Sequence, residues 1–340
     1  MPFEPRFTML IPLIDLNNAL QPGAPRSTEV AQQMRAAGLS AGFFYVSHHG
    51  IAASLVEQQF SATKALFDLP MAAKEAISLK KSACMRGYEA LGLQTLDASA
   101  RPDLKESFYC GQPYPPEHPY VRQGFYSYGS NQWPAELPEL QAQCTAYIDA
   151  MLVLARRLMQ LIALSLALPE DWFDGERGGG AHSASPADSP LVTLRLLRYP
   201  PHPADADERS FGAGAHTDWG SITLLAQDRL GGLEVQMPDG HWAAATPIDG
   251  TFVVNLGDMM PRWTNGLYHS NPHRVRNLHS GGQPRHSIPF FYSPDYLVRV
   301  APVPTCVSAD NPARFAPCTV GEHLQQMAAR TYGLAAEATP

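Results

Sequence analysis

Between Val192 and Tyr292 the chain breaks into short β-type runs: Val192 to Tyr199, Ser221 to Ala226, Leu233 to Gln236, Phe252 to Leu256 and Ser287 to Tyr292. Turn signals separate them, among them Pro238-Asp239-Gly240, Asp249-Gly250 and Gly281-Gly282. Many short strands with evenly spaced turns point to a sandwich or barrel. No repeat of fixed period is present.

The part before these runs is mainly helical, from Ser27 to about Arg177. Its clearest stretch runs from about 138 to 168, where Ile148, Met151, Leu152, Ala155, Leu158, Met159 and Ile162 recur at three- and four-residue steps. That spacing lines up one apolar stripe, which predicts a helix bracing a sheet. Arg156 and Arg157 lie off the stripe and are expected on a solvated face. Residues 178–190 are Gly/Ser-rich and read as a flexible loop. The expected organisation is an N-terminal helical and strand region (1–177) integral to the fold, that loop, a β core at 191–300, and a C-terminal segment (301–340).

A chain of 340 residues that is 45% hydrophobic can bury a large core. Its net charge of −7, with basic residues scattered, leaves no electrostatic footprint for nucleic acid or an anionic membrane. The five cysteines (Cys84, Cys110, Cys144, Cys306, Cys318) are odd in number and lack Cys-X-X-Cys spacing, so neither a disulfide framework nor a zinc ribbon is indicated. Reduced thiols, no leader at Met1–Arg6 and no apolar run long enough to span a bilayer predict a soluble, cytoplasmic protein. Whether it is a monomer or a homo-oligomer is left open.

Chemistry concentrates in the β region. His216 and Asp218 stand in Gly214-Ala215-His216-Thr217-Asp218-Trp219-Gly220, and an i, i+2 pair on a strand would project both side chains to one face. His273, in Ser270-Asn271-Pro272-His273-Arg274-Val275, must then arrive from a strand distant in sequence. Two imidazoles and one carboxylate with the remaining positions open suit a non-haem Fe(II) oxygenase. Zinc is chemically allowed in such a site. Arg285 and Ser287 follow, a planar cationic fork and a hydroxyl two residues apart, fit for a carboxylate. The same alternation carries Phe291 and Ser293 to that face as candidates for a substrate wall. His48, His49, His241, His269 and His286 are not expected to ligate, and Asp258 reads as part of a turn.

The stretches Leu256 to Val275 and Arg285-His286-Ser287-Ile288-Pro289-Phe290-Phe291 resemble the isopenicillin N synthase-like branch of the 2-oxoglutarate/Fe(II)-dependent dioxygenases. Further matches, in the family's order, are Ile11 to Leu16, Gly42 to Ile51, Phe67-Asp68-Leu69-Pro70, Arg86-Gly87-Tyr88-Glu89 and Asp103 to Phe108. The family's N-terminal region would span about 8–125.

The resemblance implies a mainly β fold with flanking helices (α+β), a double-stranded β-helix (jelly roll) with the metal at its mouth. It implies Fe(II), 2-oxoglutarate and O2, with His216, Asp218 and His273 on iron and with Arg285, Ser287 and Tyr199 at the distal carboxylate of 2-oxoglutarate. Leu197 departs from the family pattern, standing where many members carry asparagine. Arg198 should point away from Tyr199. The implied reaction couples decarboxylation of 2-oxoglutarate to succinate and CO2 with oxidation of a small-molecule substrate, by hydroxylation or else desaturation or cyclisation. The residues also leave open an oxidase of the isopenicillin N synthase type, an ethylene-forming type of enzyme, and a silent binding or sensor protein.

Overall fold

The long helix expected near 138–168 runs from Glu139 to Ser165 and organises everything packed around it. The computed structural model describes residues 11–97, 99–125, 127–174, 190–201, 211–276 and 282–332. Most of the loop expected at 178–190 lies outside them. In chain order the elements are β1 (Leu13–Asp15), α1 (Ser27–Leu39), β2 (Phe43–Ser47), α2 (Ala53–Asp68), α3 (Met71–Ala76), β3 (Gly87–Glu89), β4 (Glu106–Cys110), α4 (Pro119–Arg122) and the long helix α5. There follow β5 (Pro190–Tyr199), β6 (Ala213–His216), β7 (Ile222–Gln227), β8 (Leu233–Gln236), β9 (Trp242–Ala244) and β10 (Phe252–Leu256). The chain continues through α6 (Met259–Trp263), β11 (His273–Val275), β12 (Arg285–Asp295), β13 (Arg299–Val300), β14 (Cys318–Thr319) and α7 (Val320–Tyr332). No helix among the described residues is long and apolar enough to cross a membrane.

The strands form an eight-stranded sheet in the order β1-β2-β10-β7-β12-β5-β4-β3 and a four-stranded sheet in the order β6-β11-β8-β9. Alternation decides what each face meets. On β2, Phe44 and Val46 join the core under the helices, whereas Phe43 and Tyr45 join the core between the two sheets. Strand β10 does the same, with Phe252, Val254 and Leu256 on the helix side and Val253 on the other. On β12, Ile288, Phe290 and Tyr292 go to the helix side, which turns Arg285, Ser287 and Phe291 inward. These two facing sheets are the jelly-roll core, and β1 to β4 extend its larger sheet.

The apolar stripe of α5 is buried at Ile148, Met151, Ala155, Leu158, Met159 and Ile162, with Leu152 partly covered. Arg157 overturns the expected solvated face: it is 4% exposed. Its Nε donates to Ala19 O at 2.7 Å, its Nη2 to Ser27 Oγ at 2.7 Å, and its Nη1 to Gln160 and Glu170. Helix α1 and the segment before it pack over that side of α5, and full hydrogen bonding lets the charge stay buried there. At the end of α2, Pro70 forces Leu69 into an extended conformation (ψ 149°), which stops the helix.

Candidate active site

Strand β6 ends at His216, so Asp218 stands two residues beyond it and not on a strand as expected. The chain turns away there because a tight loop fixes it instead. Asp218 O accepts from Asp258 N at 2.8 Å, and Gly257 N donates to Ser221 O at 2.9 Å. A Cβ on Gly257 would stand 2.3 Å from Gly220 O, so the close approach requires glycine. Asp258 also accepts from Thr217 Oγ1 and Ser270 Oγ, at 3.1 and 2.8 Å, which makes it the brace of the loop, as its turn-like setting suggested.

His273 arrives on β11 as the register partner of His216, and the rings lie 4.3 Å apart. One donor atom from each of His216, Asp218 and His273 falls within 4.8 Å of the others. The ring Nδ1 of His216 donates to Gly214 O at 2.7 Å, which sets the tautomer and leaves the Nε2 lone pair for a metal. Burial, then the neighbouring His273, pushes the His216 imidazole down to about 3, so it stays neutral as a ligand must. Asp218 Oδ2 accepts from Thr223 Oγ1 at 2.6 Å and from Asn255 Nδ2 at 2.7 Å. Burial would raise this carboxyl, but the two histidines and these two donors outweigh it and hold it below the usual range. His273 Nδ1 is buried without a hydrogen-bond partner among the described residues. An N2O donor set gathered in a pocket, with one carboxylate already ionised, fits Fe(II).

Adjoining the triad is a cavity of about 60 Å³ lined also by Tyr199, Arg285, Ser287 and Phe291. Arg285 and Tyr199 are register partners on β12 and β5, and the guanidinium lies over the phenol ring, 4.8 Å from its centroid. Arg285 is 1% exposed. Its Nε donates to Gly231 O and its Nη2 to Gln227 Oε1 at 3.4 Å, but Nη1 is buried with no partner among the described residues. A buried cation with an unused donor facing a cavity beside a metal triad is what a dicarboxylate chelator would complete.

A second cavity, about 150 Å³, shares His216 and Asp218 with the first and is lined by Phe291 and Ser293. Ser293 is tied into the scaffold as well, its Oγ accepting from Ser221 N at 3.3 Å. Arg198 points away, to Glu106 and Asp68. His48, His49, His241, His269 and His286 line neither cavity. Sequence reasoning missed Thr223, Asn255, Arg195 and Lys105. Thr223 and Asn255 carried a usable signal, each a polar residue inside an otherwise apolar β-run.

Residues 11–136 match the model of the N-terminal region of non-haem dioxygenases in morphine synthesis, and residues 189–294 match that of the 2OG-Fe(II) oxygenase superfamily. The chain is 37% identical over 331 residues to the 2-oxoglutarate-Fe(II) type oxidoreductase hxnY of Emericella nidulans, covering 95% of this chain and 91% of that one. It is 36% identical over 304 residues to the homoarginine-6-hydroxylase 2-ODD-233 of rice (Oryza sativa subsp. japonica), covering 88% of each. Among solved structures, a full-length Neurospora crassa protein in complex with alpha-KG and thymine superposes with a TM-score of 0.79 at 30% identity, over 94% of this chain and 97% of that one. These likenesses favour 2-oxoglutarate use over the oxidase and sensor readings. The chain therefore belongs to the 2-oxoglutarate/Fe(II)-dependent oxygenases, an oxidoreductase family working with Fe(II), 2-oxoglutarate and O2 on small molecules.

Proposed function

We propose that His216, Asp218 and His273 hold the iron and that Arg285, Ser287 and Tyr199 hold the distal carboxylate of 2-oxoglutarate, so that a small molecule seated against Phe291 and Ser293 is hydroxylated. The observation that carries this is the continuity of the triad with the buried, half-satisfied Arg285 in one cavity. Bound iron with 2-oxoglutarate and O2 supplies the oxidising power for a C–H bond, with succinate and CO2 as co-products. The protein's residues place and shield the reactants. Gly214 O fixes which nitrogen of His216 faces the metal, and Thr223 and Asn255 keep Asp218 ionised and turned toward it. Arg285 sets the depth at which the cosubstrate lies, and Phe43, its ring 5.4 Å from that of His273, helps exclude water from the ligands.

Residues 1–177 read as integral to this unit, 191–300 as the jelly-roll core and 301–340 as a C-terminal segment that includes α7. The five free thiols support a cytoplasmic setting, and the scattered basic residues support a small-molecule partner, not nucleic acid or membrane. The deciding experiment is succinate release from 2-oxoglutarate with Fe(II), screened against pools of small molecules. Succinate formation that no pool stimulates, or that does not need Fe(II), would sink the assignment.

A further inference from the structure

The two cavities meet at the metal ligands, since Leu96, Arg195, His216, Asp218 and Phe291 line both. The larger, about 150 Å³, has apolar walls at Met85, Leu191, Trp219 and Leu324. A cavity of about that volume takes a guest the size of one aromatic ring. One edge of it is polar. Arg195 Nη2 donates to Glu89 Oε2, Gln94 Oε1 and Ser107 Oγ at 3.0, 2.8 and 2.9 Å, and the guanidinium stacks 4.5 Å from the centroid of the Tyr109 ring. These contacts fix the plane and position of the guanidinium at the cavity wall. Beside it, Lys105 lines the cavity that holds the triad, with its side chain 2% exposed and its ammonium donating to Asp103.

The cations and their acids are placed unequally. Arg195 lines both cavities and Lys105 the smaller one, whereas Glu89 and Asp103 line neither. Each ion pair is therefore a dipole with its positive end toward the cavity that its cation lines. The acids behind offset the charge, which makes burial tolerable, and in a medium of low dielectric the field at the wall still favours acceptor oxygens and repels a cation. Asp103 adds an indexing contact: its Oδ1 accepts from Gly214 N at 2.9 Å, and Gly214 O in turn accepts from the His216 ring. The cationic wall is thus tied through one residue to a metal ligand, so a guest held by it sits at a set distance from the iron.

We propose that Arg195 orients the primary substrate, with Lys105 adding to the positive field from the smaller cavity, and that this substrate is a compact molecule of single-ring size carrying acceptor oxygens, as a carboxylate or as a ring carbonyl. The proposal rests on the assignment of the iron and 2-oxoglutarate centre and adds the chemical class of what is oxidised there.

The test is calorimetry on the anaerobic protein loaded with Fe(II), first titrated with 2-oxoglutarate and then with benzoate, uracil or benzylamine. Benzoate or uracil should bind, and which of them does separates carboxylate from ring carbonyl; benzylamine should not. Arg195→Gln should weaken the bound probe about ten-fold or more while changing 2-oxoglutarate affinity by less than about three-fold. Because that variant strands Glu89, the double variant Glu89→Gln with Arg195→Gln removes both charges and should show the same loss. Lys105→Gln, in the smaller cavity, should weaken the probe by less than Arg195→Gln does. The proposal is overturned if neither oxygen-bearing probe binds, if benzylamine binds as tightly, or if the variants leave probe affinity unchanged. It is equally overturned if Arg195→Gln weakens 2-oxoglutarate as much as the probe, since that cation would then serve the cosubstrate. A wild-type protein that binds no 2-oxoglutarate in the first titration overturns the centre itself, a failure visible before any probe is added.

Discussion

His273 stands opposite His216 in the β11–β6 register, and Asp218 Oδ1 lies 3.8 Å from its Nε2. A slip of one residue would put Arg274 in its place and turn the imidazole to the other face. Replacing His216 or His273 by alanine should therefore abolish iron binding while the metal-free fold keeps its stability to within about 1 kcal/mol, because the ligands contribute little to the apolar cores. Iron content per chain and urea unfolding of the metal-free variants check this. A variant that still binds iron as wild type does is not missing a ligand.

Asn255 and Thr223 both donate to Oδ2 of Asp218, the oxygen other than the one facing His273. Asn255→Ala should weaken iron affinity by roughly ten- to a hundred-fold. Competition with a ferrous chelator measures it, and unchanged affinity would show that the carboxylate holds its orientation without Asn255.

Arg285→Ala removes the cation over Tyr199 and the unused donor in the cavity. Charge-assisted hydrogen bonds contribute about 1.5–3 kcal/mol, so 2-oxoglutarate should bind roughly ten- to a hundred-fold more weakly. Iron affinity should not change. Calorimetry on the anaerobic iron-loaded protein separates the two, and an equal loss of both would mean that the variant had disturbed the triad.

Phe291 and Ser293 should behave differently from each other. Phe291→Ala enlarges the substrate cavity and should lower the yield of oxidised product per succinate formed, because a misplaced C–H bond is missed. Ser293→Ala removes one of two acceptors of Ser221 N, which keeps Tyr292 O at 3.2 Å, and should destabilise the fold by less than about 1 kcal/mol. Product-to-succinate ratios with an identified substrate, together with urea midpoints, check both. Wild-type ratios in the two variants would place the substrate wall elsewhere.

Burial holds His216 and His286 below the ordinary imidazole value in the folded chain. The unfolded chain takes up these protons near pH 6.5 while the folded one does not, so the stability of the metal-free protein is fully present above about pH 6.5 and falls as pH drops below it. Urea unfolding at about pH 7.5 and about pH 5.5 should show the loss, and His286→Gln should shrink it. A pH-independent midpoint would contradict the buried neutral state.

The strand pattern was legible because alternation and turns are local: β8 and β10 run over Leu233–Gln236 and Phe252–Leu256, as the sequence alone predicts. The triad and the Arg285-Ser287 pair were legible because their flanking residues resemble a known family. What escaped depends on contacts far apart in the chain. Arg157 is buried largely by residues 19 and 27, which lie 138 and 130 positions upstream of it, and no window around α5 contains them. Asp218 leaves the strand because Asp258 and Gly257 capture its loop, and spacing alone does not show that capture. Arg195 looks like one more strand residue until β3 and β4 supply Glu89 and Ser107.

The pairing of β2 with β10 has a bearing on how the molecule comes to exist. Phe44 meets Val254 across some two hundred positions of chain, whereas His216 and His273 come from the same stretch of the core. Loop closure of that length is slow relative to local pairing. During synthesis the first hundred residues must wait, with the apolar edge of β2 uncovered, until β10 has emerged. His273 follows the end of β10 by 17 positions (273 − 256), so that edge can be covered before the third ligand is made, and refolding with and without Fe(II) would show whether the ion acts as a folding template as well as a reagent.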